Sequence, residues 1–461
     1  MTPVGISRRG FIGGTAGAGV VLVIGAQRSA AQAIPDGPYG QLASQPDPNG
    51  LLLPDGFSSR VVARAGENVE GTGYEWPAFP DGAATFPIEA GGWYHVVNSE
   101  IPTPGNGGAS AIQYDADGNV VDAYRVLGDT TQNCAGGPTP WGTWLSCEET
   151  DGGQVWECDP TRPGSGVARP AMGAFHHEAA AVDPDNQVVY LTEDEPDGAF
   201  YRFTPTAYPD LAEGVLEVAS VDPDGVVSWY EVTDPSAATE RTALQVPEVT
   251  HFDGGEGCWF ADGTVWFTTK NDNHVRSYDA ATETMAVVYD GNGLLNGVDN
   301  VTVENGSGDL YVAEDGDDMQ LVVITSEGDV VPVAQVVGEE LPPNDPIPSE
   351  ITGPVFSPDG SRLYFSSQRG GNPQTGVTYE ITGPFRGIEA AEPSTTTTVA
   401  AAQIDEADTA TDTVTDEDDG SSPAVPIAIG VGAVAVVAAG AVALRRRGAR
   451  GPSDDPDPPA A

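Results

Sequence analysis

Six segments of this chain share one design, and that repetition limits the possible folds more than any other feature. Each has a small or turn residue, then an aromatic and β-branched run, then a polar and mostly acidic end. They are Gly92–Glu100, Gly142–Glu149, Val188–Asp194, Gly263–Lys270, Asp309–Asp315 and Arg362–Gln368. They recur about every 45 to 50 residues, with one larger gap between the third and fourth, which is the length of a four-stranded blade with its loops. Turn signals such as Asp117-Gly118, Asp262-Gly263 and Asp359-Gly360 lie on the connections. The 58 Gly and 39 Pro weaken helix interiors. The expectation is an all-β, six-bladed propeller, with a pair of β-sandwiches of coincidental spacing as the alternative. Taken as the innermost strands of a propeller, the six segments bring their polar ends together at a central channel.

Glu100, Glu148, Glu149, Glu193, Asp194, Glu314 and Asp315 then face one another. Carboxylates within about 4 to 6 Å cannot all stay ionised without a counter-charge, so either their pKa values rise or metal ions sit among them. Oxygen ligands alone favour a hard cation such as Ca²⁺, and an added thiolate suits a transition metal. The thiol candidate is Cys134, in the Gly/Pro-rich run from Asn133 to Trp144. Glu195, Asp197 and Asp317 read as a solvated rim. Cys147 and Cys158 flank a hairpin around Asp151-Gly152-Gly153 with equal arms, which admits a cross-strand disulfide in an exported protein. Cys258 reads as a buried apolar residue.

The two ends read as addresses. Ser7-Arg8-Arg9-Gly10-Phe11-Ile12, the apolar stretch Gly13–Gly25 and Ala31-Gln32-Ala33 make residues 1–33 a signal peptide of the twin-arginine form. Residues 387–423 form an acidic, Thr-rich stalk without apolar periodicity. Residues 424–444 are uncharged and apolar, long enough at about 1.5 Å per residue to span a bilayer of about 30 Å. Arg445, Arg446, Arg447 and Arg450 follow, so residues 445–461 are expected in the cytoplasm. The body, 34–386, is then exported and tethered at the cell surface. The formal net charge of −50 excludes nucleic acid as a partner, because phosphate-backbone binding requires Lys and Arg.

Asn133–Glu149, Phe175–Ala179, Tyr190–Asp194, Gly255–Gly257 and Glu350–Gly360 resemble the PhoX-type alkaline phosphatase family, and the likeness runs over nearly all of 50–386. The resemblance implies a propeller exported by the twin-arginine machinery. It further implies an oxo-bridged Fe³⁺ pair and three Ca²⁺ in the channel, and hydrolysis of small phosphomonoesters at alkaline pH. Carried over by motif, Cys134 is an iron ligand, and Glu100, Glu148, Glu149, Glu178, Glu193, Asp194 and Glu256 ligate iron or calcium. Glu314, Asp315 and Glu350 lie in similar strand-end contexts. One departure stands out. Family phosphatases resemble Arg-Pro-Glu where this chain has Gly254-Gly255-Glu256, and that Arg holds the substrate phosphate. Lys270, Arg202 or Arg276 are the substitutes, with Lys270 first because it ends one of the repeated strands. His177, beside Glu178, either orients a ligand, acts as an acid or is structural.

Three functions are therefore in view. The first is a surface-tethered phosphomonoesterase. The second is a calcium-dependent propeller hydrolase of the lactonase type, which needs no thiolate. The third is a non-catalytic surface binder with structural metals.

Overall fold

The computed structural model describes residues 37–387, apart from 292, 317, 339–348 and 372–374. The signal peptide, the stalk beyond residue 387, the apolar span, the tail and Asp317 lie outside the described residues. Among the described residues no helix is long and apolar enough to cross a membrane, and the only helical turns are 3₁₀ turns at Pro170–Met172 and Thr242–Leu244.

Six antiparallel sheets form a six-bladed propeller. Blade 1 runs outward through Pro80–Pro87, Trp93–Ser99, Gly107–Tyr114 and Val120–Thr130. The later blades begin at Asn133–Pro138, His177–Asp183, Gly255–Ala261, Val298–Val303 and Ile351–Phe356. These six first strands touch one another in cyclic order, which makes them the innermost strands. The third blade carries a fifth strand, Val227–Glu231, and the turn at Thr242–Leu244, which accounts for the larger gap in the repeat. Blade 6 is completed by the N-terminal strand Ser58–Arg64, zipped antiparallel onto Val377–Thr382. Arg60 pairs with the buried Glu380 at 2.6 Å across this closure, and Arg362, from the strand on the other side, meets the same carboxylate at 2.6 Å. Leu51–Leu52 adds an outer edge to blade 5.

The repeated aromatic segments are the second strands, one layer out from the axis, and not the innermost ones. Their bulky side chains, such as Trp144, Tyr190, Phe267, Tyr311 and Tyr364, are fully buried in the clusters where blades meet. The innermost strands are built from small residues, because six backbones must converge at the axis. A Cβ on Gly82 would stand 2.5 Å from Ala135 Cα, and one on Gly257 2.6 Å from Asn300 Cα. Bulkier residues there would push the ring open. The backbones around Gly82, Ala135, Ala179, Gly257, Asn300 and Gly353 leave a gap of only about 20 Å³, about the space of one water, so the channel is narrow at this level.

Candidate metal centre in the channel

In five blades the pairing of first and second strands shifts register at the same depth, for example between Pro80 and Ala83, His177 and Ala180, and Val298 and Val301, and in blade 6 it shifts one residue later, between Thr352 and Val355. Such bulges re-aim a side chain. The residues at this point form a lower ring: Asp81, Cys134, Glu178, Glu256, Asp299 and Thr352. An upper ring follows from a second repeated contact. The N–H groups of Glu100, Glu149, Asp194, Lys270, Asp315 and Gln368 donate to the carbonyls of Phe79, Gln132, His176, Gly254, Gly297 and Glu350, at 2.7–3.2 Å. Each acceptor lies two residues before a lower-ring residue, so the two rings are in register in all six blades.

Asp81, Cys134, Glu256 and Asp299 of the lower ring and Glu100, Glu149, Lys270 and Asp315 of the upper ring line a cavity of about 310 Å³, to which Glu350 and Arg369 also contribute. Three groups of donor atoms lie within 4.8 Å of one another: Asp81, Glu100 and Cys134; Cys134, Glu149 and Glu178; and Glu178, Glu256 and Asp299. Asp81 and Asp299 escaped the sequence reading. Pro80-Asp81-Gly82 looks like a turn, and both residues lie one strand upstream of the aromatic segments.

Glu178 tests whether metals fit. It is fully buried, and neither carboxylate oxygen has a hydrogen-bond partner. An isolated buried carboxylate costs several kcal/mol. Burial, then Glu256 and Glu149, push its pKa well up. Burial acts in the same direction on Glu149, Glu256 and Asp299, with neighbouring acids adding to it. It moves Glu100 to about 7 and Glu350 to about 8. Burial and then the surrounding acids raise the Cys134 thiol, so on its own it stays protonated and becomes a thiolate ligand only beside a cation. The donor set therefore fits metal ions. The two groups sharing Cys134 mix sulfur and oxygen, which suits a transition metal. The third is all oxygen, which suits a hard cation.

The cations of the channel stand on the side of blades 4 to 6. Lys270 Nζ is 2.6 Å from Glu256 and 3.5 Å from Asp315. Arg369, absent from the sequence reading, lies 2.6 Å from Glu350 and 3.7 Å from Glu100, with its guanidinium over the Phe79 ring. The Gln368 amide donates to Asp81 and to Glu100. Arg202 and Arg276 are elsewhere, the first bound to Glu217 and stacked on Trp229, the second bound to Asp272 over Phe252. Gly254 lies at the rim with φ +71°, and a Cβ there would stand 2.9 Å from the Asn271 amide and 3.2 Å from Asp194.

Several expected ligands face the other way. Side chains alternate along a strand, so if Glu149 and Asp194 face the channel, Glu148 and Glu193 cannot. Glu148 accepts from the Thr131 and Gln154 amides and the Trp156 indole. Glu193 accepts from the Ala199 amide and Tyr201 hydroxyl and pairs with Arg241. Glu314 accepts from the Asn296 and Gln320 amides. These three carboxylates hold the loops at the channel mouth. His177 is turned from the channel by the same alternation against Glu178. Its ring is fully buried against Phe175 and bonded to the Gly173 carbonyl, and burial lowers its pKa to about 3, so it stays neutral. At the rim, Asp197 pairs with Arg241 and Glu195 lies 3.7 Å from His176.

The cross-strand disulfide that the sequence admits does not form. Cys147 pairs in register with Val155, and Cys158 with Trp144, so the two thiols sit at different heights on the hairpin and all four cysteines are free. The turn is centred nearer Asp151 than equal arms require. Cys258 is buried in an apolar cluster, as expected.

The family described as alkaline phosphatase PhoX matches residues 106–155, 150–286 and 275–371. No curated protein sequence matches the chain. Among solved structures, PhoX from Pseudomonas fluorescens in complex with vanadate, a transition state analogue, is similar at 19% identity and TM-score 0.60, covering 73% of this chain and 96% of its own. A gluconolactonase from Xanthomonas campestris is similar at 15% identity and TM-score 0.37, covering 67% of this chain and 86% of its own.

Proposed function

The chain belongs to the PhoX alkaline phosphatase family and is a PhoX-like, metal-dependent phosphatase, and from that premise we propose that it cleaves small phosphomonoesters in the two-ringed channel. The observation that carries the placement is Glu178, fully buried, without a partner for either oxygen, and shared by two of the three donor groups. In this reading a ferric pair is held by Asp81, Glu100, Cys134, Glu149 and Glu178, and calcium by Glu178, Glu256 and Asp299, with Asp194, Asp315 and Glu350 completing the acidic wall. Bound there, such ions supply charge neutralisation for the phosphoryl group and an activated oxygen nucleophile.

The chain's own groups do the rest. Arg369 takes the phosphate-gripping role left open at Gly254. Its planar guanidinium suits bidentate contact with phosphate oxygens, it lines the cavity, and its partner Glu350 fixes its orientation. Lys270 is less suited to that role, because its ammonium already lies against Glu256 and Asp315. With the channel narrowed to about 20 Å³ below the lower ring, the ester enters phosphate first from the mouth and its alcohol leaves toward solvent.

Export by the twin-arginine route and anchoring through residues 424–444 belong to the same reading. The paired arginines and the apolar span support it, as does the need to assemble a metal centre before export. The test is elemental analysis of the full-length protein with phosphomonoester hydrolysis assayed on the same sample, alongside fractionation of membranes. Iron and calcium with activity are expected. Metal-loaded protein that leaves phosphomonoesters untouched would sink the reading.

A further inference from the structure

The positions around the channel mouth are not filled alike. From blade 1 onward the upper ring reads Glu100, Glu149, Asp194, Lys270, Asp315 and Gln368, so an ammonium stands where four other blades present a carboxylate. The donor groups progress around the ring, from Asp81, Glu100 and Cys134 in blades 1 and 2, through Cys134, Glu149 and Glu178 in blades 2 and 3, to Glu178, Glu256 and Asp299 in blades 3 to 5. The third group already reaches blades 4 and 5 in the lower ring, and above it the upper ring presents Lys270 beside Asp315. Its Nζ lies between blades 4 and 5, 2.6 Å from Glu256 Oε1 and 3.5 Å from Asp315 Oδ2, where the next interblade cation would fall.

This is not an ordinary surface ion pair. The Glu256 side chain is 3% exposed, and the acids acting on the amine include Asp299 and Asp194 as well as Glu256 and Asp315. Lys270 is also the only lysine in the 461-residue chain. Its ammonium is a compact point charge on a flexible stem, the side chain closest in form to a bound ion.

We propose that Lys270 is a tethered substitute for one divalent cation: its ammonium occupies the position between Glu256 and Asp315 that a hard metal ion would otherwise take. The proposal rests on reading the channel as a metal centre. It adds that the one position between Glu256 and Asp315 stays neutralised whatever the external metal concentration, while the three donor groups, including Glu178, Glu256 and Asp299, depend on it.

The substitution Lys270→Glu restores a carboxylate to the ring and removes the tethered charge. Full-length Lys270→Glu, dialysed against calcium, is expected to hold one more calcium per chain than wild type by elemental analysis. Lys270→Arg is expected to keep the wild-type count. If wild type holds its metals and Lys270→Glu, folded by circular dichroism, holds the same number, the proposal is overturned while the phosphatase reading stands. If wild type holds no metal, both fall.

A second measurement needs no variant. Acetylation of the peptide carrying Lys270, followed by mass spectrometry on native wild type, is expected to proceed at the same slow rate with and without saturating calcium. A several-fold acceleration by calcium would mean that the ion displaces the amine, and would overturn the proposal even if Lys270→Glu failed to fold.

Discussion

Glu148 and Glu149 are adjacent in sequence and lie on opposite sides of one strand end: the first is tied to the Thr131 and Gln154 amides and the Trp156 indole, and the second faces Cys134 and Glu178 in the channel. The pair sets a loop-holding carboxylate beside a channel-facing one at a single point in the chain. Glu149→Gln is expected to lower the metal content and activity with little change in the fold. Glu148→Gln is expected to retain the metals but lose about 1–3 kcal/mol of stability, because its new NH₂ meets donors that it cannot satisfy. Urea unfolding and elemental analysis of the two variants check the division, and loss of metal in both would contradict it.

Cys134 is the one soft donor in the channel and belongs to two of the three groups. Cys134→Ser is expected to lower iron occupancy and to reduce kcat/KM by at least about 100-fold, since even outer-shell changes at metal sites cost about 10–100-fold. Loss of the thiolate-to-iron absorption band in the visible spectrum is the independent check. Retention of that band would exclude Cys134 as the ligand.

Arg369→Lys keeps the charge and removes the planar fork. A drop of about 10-fold in kcat/KM is expected for this variant and about 100-fold for Arg369→Ala, as hydrogen bonds to charged groups are worth about 1.5–3 kcal/mol. Inhibition by inorganic phosphate should weaken in parallel, because the same contact holds substrate and product. Unchanged phosphate inhibition would place the grip elsewhere.

His95 gives the fold a defined acid sensitivity. It is buried against Tyr364, neither ring nitrogen has a partner, and burial lowers its pKa to about 3 from 6.5. Between those values the unfolded chain binds more protons than the folded one, so its share of stability is complete above pH 6.5 and is lost as pH falls toward 3. The slope reaches about 1.4 kcal/mol per pH unit for one proton. His95→Phe keeps a stacked ring and removes the titration. The stability difference between the two proteins should therefore change by that slope across the window, and a constant difference in urea unfolding would refute the assignment.

The second strands are legible in the sequence because Trp, Tyr and Val runs both fill the interblade clusters and carry high β propensity. The first strands are not, because the crowding that places them at the axis also removes the side chains by which strands are recognised. Asp81 and Asp299 are lost with them. Glu100, Glu149, Asp194 and Asp315 reach the channel as the strand-end pattern suggests, whereas Glu148, Glu193 and Glu314 are excluded by the two-residue alternation of the same strands. Arg369 lies just beyond the last repeated segment, where no pattern marks it. The Cys147–Cys158 bridge that the sequence admits is ruled out by register, which the loop sets and composition does not reveal.

The closure of the ring by Ser58–Arg64 against Val377–Thr382 imposes a timetable on the molecule. The outer strand of the last blade is among the first segments synthesised, and its partners are among the last. No five-bladed intermediate can bring the acids of blades 1 and 6 face to face. The donor groups themselves draw only on blades 1 to 5, so what a nascent chain lacks until residue 382 has emerged and the seam zips is the wall that Glu350 and Arg369 set against Glu100. In the proposed reading, the phosphate-gripping side of the pit is therefore the last part of the molecule to be completed.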